Sequence, residues 1–275
     1  MKSILFVPAT RTDLVQKAAQ GAADAVCLDL EDGVAPGEKA AARQSVAAAV
    51  AALQAAGKTV LLRINSEVEH ISHDLEHCPA DVDLVVLPMT GSRHQIRQLS
   101  DWADRRFGQG GPKIVAMIEE PGGLSAVVQG DGPLPHRLTH LSLGTEDFAA
   151  SLGCPSDGGP VHAAFHRLSQ AAAEWGRALL GYPGSIAEFR DIDQFRSYAA
   201  HGRHAGAIGG FAIHPTQVPV LNELFGIDTK TKDQAERVVA AFERALAEGL
   251  GATQLDGRMI DRPVYLAARK TLQRA

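Results

Sequence analysis

Carboxylates gather where the apolar runs of this chain end. The run AVCLDL (25–30) contains Asp29 and is followed by Glu31 and Asp32, and KIVAMI (113–118) is followed by Glu119 and Glu120. LTHLSL (138–143) runs into Gly144, Thr145, Glu146 and Asp147. TVLLRIN (59–65) ends with Arg63 and Asn65, and GGFAIHP (209–215) carries His214. Acids brought to one place raise each other's pKa values unless positive charge sits among them. A hard divalent cation would supply that charge. Mg2+ takes one or two carboxylates, keeps several waters and leaves positions for substrate oxygens. Arg63 would add a guanidinium shaped for bidentate capture of a substrate carboxylate. Any one of these acids could equally be a helix cap or a solvated loop charge. Their recurrence from run to run is what points to a site.

Such convergence needs elements that bring the ends together. Short β-type runs at 3–8, 25–30, 59–65, 84–88, 113–119, 138–144 and 209–215, with a weaker one near 181–186, alternate with helical stretches. Most are continuously apolar, as parallel strands covered on both faces are. Ala-rich amphipathic segments at 37–56, 92–106 and 159–180 lie between them. This alternation predicts an α/β chain whose residues 1–215 form a (β/α)8 TIM barrel, with chemistry at the C-terminal ends of the strands. An open doubly wound sheet is the rival; it often carries a Gly-rich phosphate turn, and no GxGxxG or GxxxxGK[ST] follows the first strand here. Beyond Pro215, helices are predicted at 216–225, 231–248 and 264–275, with a Gly-rich, strandless loop at 249–263. Residues 216–275 thus read as a C-terminal helical arm that could pack on a neighbouring subunit.

The 275 residues carry a formal charge of −5, which argues against a nucleic-acid partner. No apolar run approaches the roughly 18–20 residues that span a bilayer. The start, MKSILFVPATRTD, has no small-residue cleavage site, and Cys27, Cys78 and Cys154 are odd in number and lack a CxxC pair. Together these predict a cytoplasmic protein with reduced thiols and no membrane association. His73 and His77, and likewise His162 and His166, stand four apart on predicted helices, but neither pair has an evident third ligand. Lys39 and Arg43, also four apart, follow the first acidic loop and could meet a substrate phosphate or solvate that face.

Several motifs, in order along the chain, now carry a resemblance. They are LFVPATR (5–11), DLEDGVAPGEKAAAR (29–43), RIN (63–65), IEEPGGL (118–124), LGTEDFAASLG (143–153), IHPTQV (213–218) and DGRMIDRP (256–263). With them the chain resembles the citrate lyase β-subunit-like family, within the wider group of HpcH/HpaI aldolases and malyl-CoA lyases. The resemblance implies a barrel with a C-terminal helical arm, a homotrimer, and Mg2+-dependent cleavage of a β-hydroxyacyl-CoA to acetyl-CoA and a 2-oxoacid. It places Glu119 and Asp147 as metal ligands and Arg63 on the carboxylate of the oxoacid. Gly144 and Thr145 fall beside the substrate, Glu31 and Asp32 near the metal's waters. Asp261 matches an aspartate that a neighbouring subunit inserts into the site to move a proton on the acyl-CoA methyl carbon. By residue types alone, Asp261 followed by Pro263 reads as a helix N-cap. A citryl-cleaving subunit acting on an acyl-carrier-protein thioester, or a non-catalytic barrel that binds an acidic metabolite, are the other readings.

The chain also departs from the family pattern. Met89 follows the fourth strand and Gly209-Gly210 precedes IHP, where many relatives carry Lys, and Lys2 stands where many have Arg. Lys2 keeps its positive charge, whereas Met89 and Gly209-Gly210 remove one, which bears on CoA contacts and acyl preference rather than on the metal ligands.

Overall fold

Alternate residues of each strand face two different apolar layers, and that alternation builds the barrel. The structure, a computed structural model, describes residues 1–273 and divides into two compact units, Met1–Phe225 and Gly226–Ala275. In the first unit, β1 (Ser3–Pro8), β2 (Ala25–Asp29), β3 (Thr59–Arg63), β4 (Leu84–Leu87), β5 (Lys113–Ile118), β6 (Leu138–Leu143), β7 (Ala178–Leu180) and β8 (Gly210–Ala212) form one sheet. Every pairing is parallel, in the order β7-β6-β5-β4-β3-β2-β1-β8. A bridge from Leu180 to Gly209 closes the remaining seam, and Gly181 N–H donates to Gly209 O at 2.9 Å. The closed ring is the expected (β/α)8 barrel, not the open sheet. Ile4, Cys27, Leu61, Val86, Met117 and Phe211 fill its interior. Neighbours such as Val7, Val26, Leu28, Leu62 and Val85 point outward beneath the helices.

Those helices are α1 (Thr12–Gln20), α2 (Lys39–Ala55), α3 (Val68–Glu76), α4 (Arg93–Phe107), α5 (Pro121–Gln129), α6 (Thr145–Leu152), α7 (Gly159–Glu174), α8 (Ile192–His204) and α9 (Val218–Phe225). Their limits follow local chemistry. Ser92 caps α4 by accepting from Gln95 N–H at 3.3 Å, Pro121 opens α5, and Gly153 ends α6 in the left-handed conformation.

Two expectations are corrected. The segment 159–180 is not one helix: α7 stops at Glu174, Gly176 turns the chain at φ 62°, and Ala178–Leu180 form β7. The seventh strand therefore precedes 181–186, where Gly181 (φ 101°) and Gly184 (φ 147°) flank a proline and preclude a strand. In the second unit, α10 (Thr229–Ala247) and α11 (Arg262–Leu272) enclose an antiparallel hairpin, β9 (Thr253–Leu255) and β10 (Arg258–Ile260), where a strandless loop was expected. Asp256 (φ 51°) and Gly257 (φ 76°) form its two-residue turn, the backbone pattern that Asp-Gly favours in hairpins. Val238, Phe242, Ile260 and Ala268 form that unit's own core. Residues 274–275 of the predicted last helix lie outside the described residues. Among the described residues, no helix is long and apolar enough to cross a membrane.

Candidate active site

At the C-terminal ends of the barrel strands lies a cavity of about 430 Å³. Asp29, Asp32, Arg63, Glu119, Gly144, Thr145 and Asp147, from the ends of four strands, line it. The acidic run ends thus do converge.

Asp29 organises one wall. Its Oδ1 accepts from Arg63 Nε at 2.8 Å and from Glu31 N–H at 2.9 Å. Its Oδ2 accepts from Arg63 Nη2 at 2.7 Å and from Gly33 N–H at 2.9 Å. A Cβ at Gly33 would collide with that same Oδ2, so the loop closes over Asp29 only with glycine there. Arg63 Nη1 lies 2.8 Å from Glu31 Oε2 and 3.2 Å from Asp32 Oδ2, and its guanidinium sits 4.8 Å above the Phe6 ring. The fork expected to face a substrate carboxylate is therefore engaged by Asp29, and Nη1 is shared between Glu31 and the exposed Asp32. Sequence reasoning left Asp29 without a role; its place at the last position of β2, beside Arg63 at the last position of β3, was the available signal.

Lys39 and Arg43 do not line this cavity, and neither is a free surface cation. Lys39 Nζ donates to Leu30 O at 2.9 Å and Glu31 O at 2.8 Å, and also to Asn65 Oδ1. Asn65 passes the chain on: its N–H and Nδ2 both donate to Asp74 Oδ2 at 2.7 Å, while Arg43 Nε donates to Asp74 Oδ1 at 2.7 Å. The carbonyls of Leu30 and Glu31 form an acceptor cluster that the ammonium completes, the Glu31 oxygen also accepting from Val34 N–H at 3.0 Å. Of the two roles left open for this pair, phosphate contact or a solvated face, the structure shows neither: both side chains anchor the acidic loop.

Glu119, 4% exposed, follows β5, and its Oε2 accepts from Met89 N–H at 2.6 Å. Met89 holds that N–H in place from a left-handed backbone, φ 45°. A Cβ on Gly144 would overlap Glu119 Oε1, so the carboxylate rests directly on the backbone at the start of α6. One turn on, Asp147 is exposed to the cavity mouth. Glu146 is committed elsewhere, accepting from Ser156 Oγ at 2.6 Å and Ser185 Oγ at 2.5 Å. Asp261 belongs to the second unit, where it caps α11 by accepting from Val264 N–H at 3.2 Å.

Burial pushes Glu119 up to about 7; Met89 N–H and Arg63 work against that rise, while Asp147 and Asp32 add to it. Burial likewise takes Glu31 to about 8, opposed by Arg63 and reinforced by Asp32 and Glu119. Asp147 is raised by burial and by Asp32. At Glu119 and Glu31 burial and neighbouring acids outweigh the Arg63 guanidinium, and Glu119 with Asp147 is a hard oxygen donor pair suited to a divalent cation that retains waters. Among the described residues no group of three or more His, Cys, Asp or Glu is arranged to hold a metal by itself. Neither histidine pair gains a third ligand among the described residues; His77 Nδ1 bonds His73 O at 2.8 Å, and His162 packs edge-on to His201.

The raised carboxyls have a measurable consequence. Ordinary glutamate sits at 4.5, so between about 4.5 and about 8 the folded chain binds more protons than the unfolded one. Their stabilisation is complete below 4.5 and is lost as pH rises through the folded values near 7 and 8. In EDTA the melting temperature should fall from about pH 5 to about pH 9, and added Mg2+ should raise it most at the alkaline end. A Mg2+-induced shift independent of pH would contradict this picture of the rim.

The chain matches the family described as HpcH/HpaI aldolase/citrate lyase over residues 2–215. It is 32% identical over 283 residues to the L-malyl-CoA/beta-methylmalyl-CoA lyase of Cereibacter sphaeroides, covering 94% of this chain and 89% of that one. It is 31% identical over 283 residues to the citrate lyase subunit beta of Escherichia coli, covering 100% of this chain and 93% of the other. Its structure resembles that of protein CitE from Mycobacterium tuberculosis in complex with magnesium, acetoacetate and coenzyme A. There the TM-score is 0.72 at 27% identity, over 99% of this chain and 97% of that one. Barrel, acidic rim and end-to-end likeness agree, and the chain belongs to the HpcH/HpaI aldolase/citrate lyase family.

Proposed function

We propose that this chain is a Mg2+-dependent carbon–carbon lyase that cleaves a β-hydroxyacyl-CoA of the malyl or citramalyl type to acetyl-CoA and a 2-oxoacid. The observation that carries the reading is the placement of Glu119, Asp147 and Arg63 around one cavity at the barrel's C-terminal rim. Glu119 and Asp147 would hold Mg2+, which when bound supplies Lewis acidity toward the substrate's hydroxyl and carboxylate oxygens. Glu31 and Asp32 would hold waters beside that ion. The Nη1 edge of Arg63 takes the oxoacid carboxylate, with Gly144 and Thr145 beside it. Cleavage passes the hydroxyl proton to a water at the rim, turns the carbinol C–O into the carbonyl of the oxoacid, breaks the bond between the carbinol carbon and the acetyl carbon, and leaves that bond's electron pair on the acetyl carbon. Asp261 of a neighbouring subunit delivers the proton that quenches that pair, which makes the homotrimer the active form. The free thiols of Cys27, Cys78 and Cys154 suit a reducing cytoplasm.

The likeness to a citrate lyase subunit beta supports a second reading, cleavage of a citryl thioester on an acyl-carrier protein. A panel of malyl, citramalyl and citryl thioesters, each as the free CoA ester and on an acyl-carrier protein, assayed with and without Mg2+ on the wild type and Asp261→Asn, decides between them. The expected result is Mg2+-dependent release of glyoxylate or pyruvate, sharply reduced in the variant with Mg2+ binding retained. Turnover only of a carrier-protein thioester would favour the second reading. A wild type inert to all of them in both forms would overturn the lyase assignment.

A further inference from the structure

The cavity has two chemically unlike sides. Its acids and Arg63 come from the ends of β2, β3, β5 and β6, while toward β7, β8 and β1 it is lined by Phe6, Ile186, Phe211 and Ile213. Phe6 and Ile186 pack on the apolar filling of the barrel, to which Phe211 belongs, and both stay partly accessible. Ile213 stands two residues beyond Phe211 and so faces the same way, with 43% of its surface exposed. This apolar wall begins at Arg63, whose guanidinium lies 4.8 Å above the Phe6 ring, and continues through the stacked rings of Phe6 and Phe211, 5.1 Å apart.

Hydrogen bonds hold the wall in place. Gln217 is fully buried, and its Oε1 accepts from Ile213 N–H at 2.9 Å and His214 N–H at 3.1 Å. Its Nε2 donates to Ile186 O at 2.8 Å and Glu188 O at 3.3 Å, so one amide joins the two loops that carry the isoleucines. Just before Ile186, Thr145 Oγ1 donates to Gly184 O at 2.7 Å and Ser185 Oγ to Glu146 Oε1 at 2.5 Å.

The three groups on the carbonyl carbon of a 2-oxoacid lie in one plane and point three ways. In the reading above, Arg63 takes the carboxylate and the oxygen turns to Glu119 and Asp147. The third group, the substituent, then points away from both, toward the apolar wall. Among the described residues that line the cavity, Arg63 is the only basic one, and Asp29, Glu31 and Asp32 already surround it. A second carboxylate on the substituent would lose its water against carbon and find no counter-charge, whereas an alkyl group would bury apolar surface there. We propose that Phe6, Ile186 and Ile213 form a subsite for an alkyl substituent on the 2-oxoacid fragment. The chain thus takes monocarboxylic 2-oxoacids with a short alkyl substituent and rejects dicarboxylic ones. This inference rests on the lyase reading above, and it names the substituent that reading leaves open.

The test is condensation of acetyl-CoA with pyruvate, 2-oxobutyrate or oxaloacetate in the presence of Mg2+. All three acids are ketones, so the substituent is what varies. The acetyl methyl loses a proton, its carbon bonds to the carbonyl carbon, and the carbonyl oxygen gains a proton. In wild type, kcat/KM should be about tenfold higher with 2-oxobutyrate than with pyruvate, the effect of one methylene in an apolar pocket. With oxaloacetate it should be lower than with pyruvate by about 10²-fold or more. Ile213→Ala should reduce the 2-oxobutyrate-to-pyruvate ratio by about threefold or more. Ile213→Arg, which sets a guanidinium on the same wall, should raise the oxaloacetate-to-pyruvate ratio by about tenfold or more. Melting curves check that both variants fold as wild type does. A wild type that uses oxaloacetate as well as pyruvate, or ratios unmoved in both variants, would overturn the proposal. Calorimetric titration of the Mg2+-loaded protein with each free oxoacid reads the same preference without turnover. A protein inert in the assay but selective for 2-oxobutyrate over oxaloacetate in binding would fail the lyase reading and keep the subsite. Efficient condensation with oxaloacetate would keep the lyase reading and remove the subsite.

Discussion

Glu119→Gln should reduce Mg2+-dependent cleavage by about 10³-fold or more, the equivalent of the several kcal/mol that a correctly held metal contributes to the transition state. Glutamine keeps the size of the side chain and still offers an oxygen to Met89 N–H, which donates to Glu119 Oε2 at 2.6 Å. The fold around Gly144 is therefore retained and the loss is chemical. The variant should also lose the pH dependence that a carboxyl titrating near 7 gives to metal binding. Steady-state kinetics over a range of Mg2+ concentrations, beside calorimetric titration of the metal, measures both. Full activity in Glu119→Gln would remove this residue from the metal site.

The second large effect is on stability. Asp74 is fully buried and accepts from Arg43 Nε, Asn65 N–H and Asn65 Nδ2. Asp74→Ala strips all three donors of their acceptor at once and leaves the nearly buried Arg43 guanidinium uncompensated; its Nη2 already lacks a partner. Removing one member of a buried ion pair destabilises by about 3–5 kcal/mol, far beyond the value of a surface pair. Urea denaturation should show a loss of that order with little change in slope, and under about 1 kcal/mol would mean that the network is not closed as described. Activity should fall as well, because Asn65 is the side-chain acceptor for Lys39, and Lys39 ties down the carbonyls of Leu30 and Glu31 beneath the acidic loop.

Much of the barrel was legible because its strands are short, continuously apolar and separated by helical patterns, as AVCLDL and KIVAMI are. The seventh strand was not, since Ala178–Leu180 is three residues long and continues an alanine-rich run in composition. Only the turn at Gly176 separates it from α7. The hairpin at 253–260 did announce itself in Asp256-Gly257, but the neighbouring glycines masked an otherwise ordinary turn signal. The rim acids were visible as residue types at run ends. Which partner each one takes was not, because pairing depends on how far neighbouring strands are offset when the ring closes. That offset puts Asp29 directly beside Arg63 and occupies the fork expected to face substrate. Lys39 shows the same limit: its charge was apparent, but the carbonyls it satisfies come into range only after β2 and α2 are packed.

The backbone of Met89 holds the Glu119 carboxylate, while its side chain is 36% exposed and takes no part in that contact. Main chain and side chain at this position are therefore decoupled in their duties. The residue can be exchanged for another unbranched type, charged or neutral, with the carboxylate's tether left in place. This makes position 89 a variable socket beside a fixed anchor, one that can carry a charged or an uncharged side chain without moving the carboxylate.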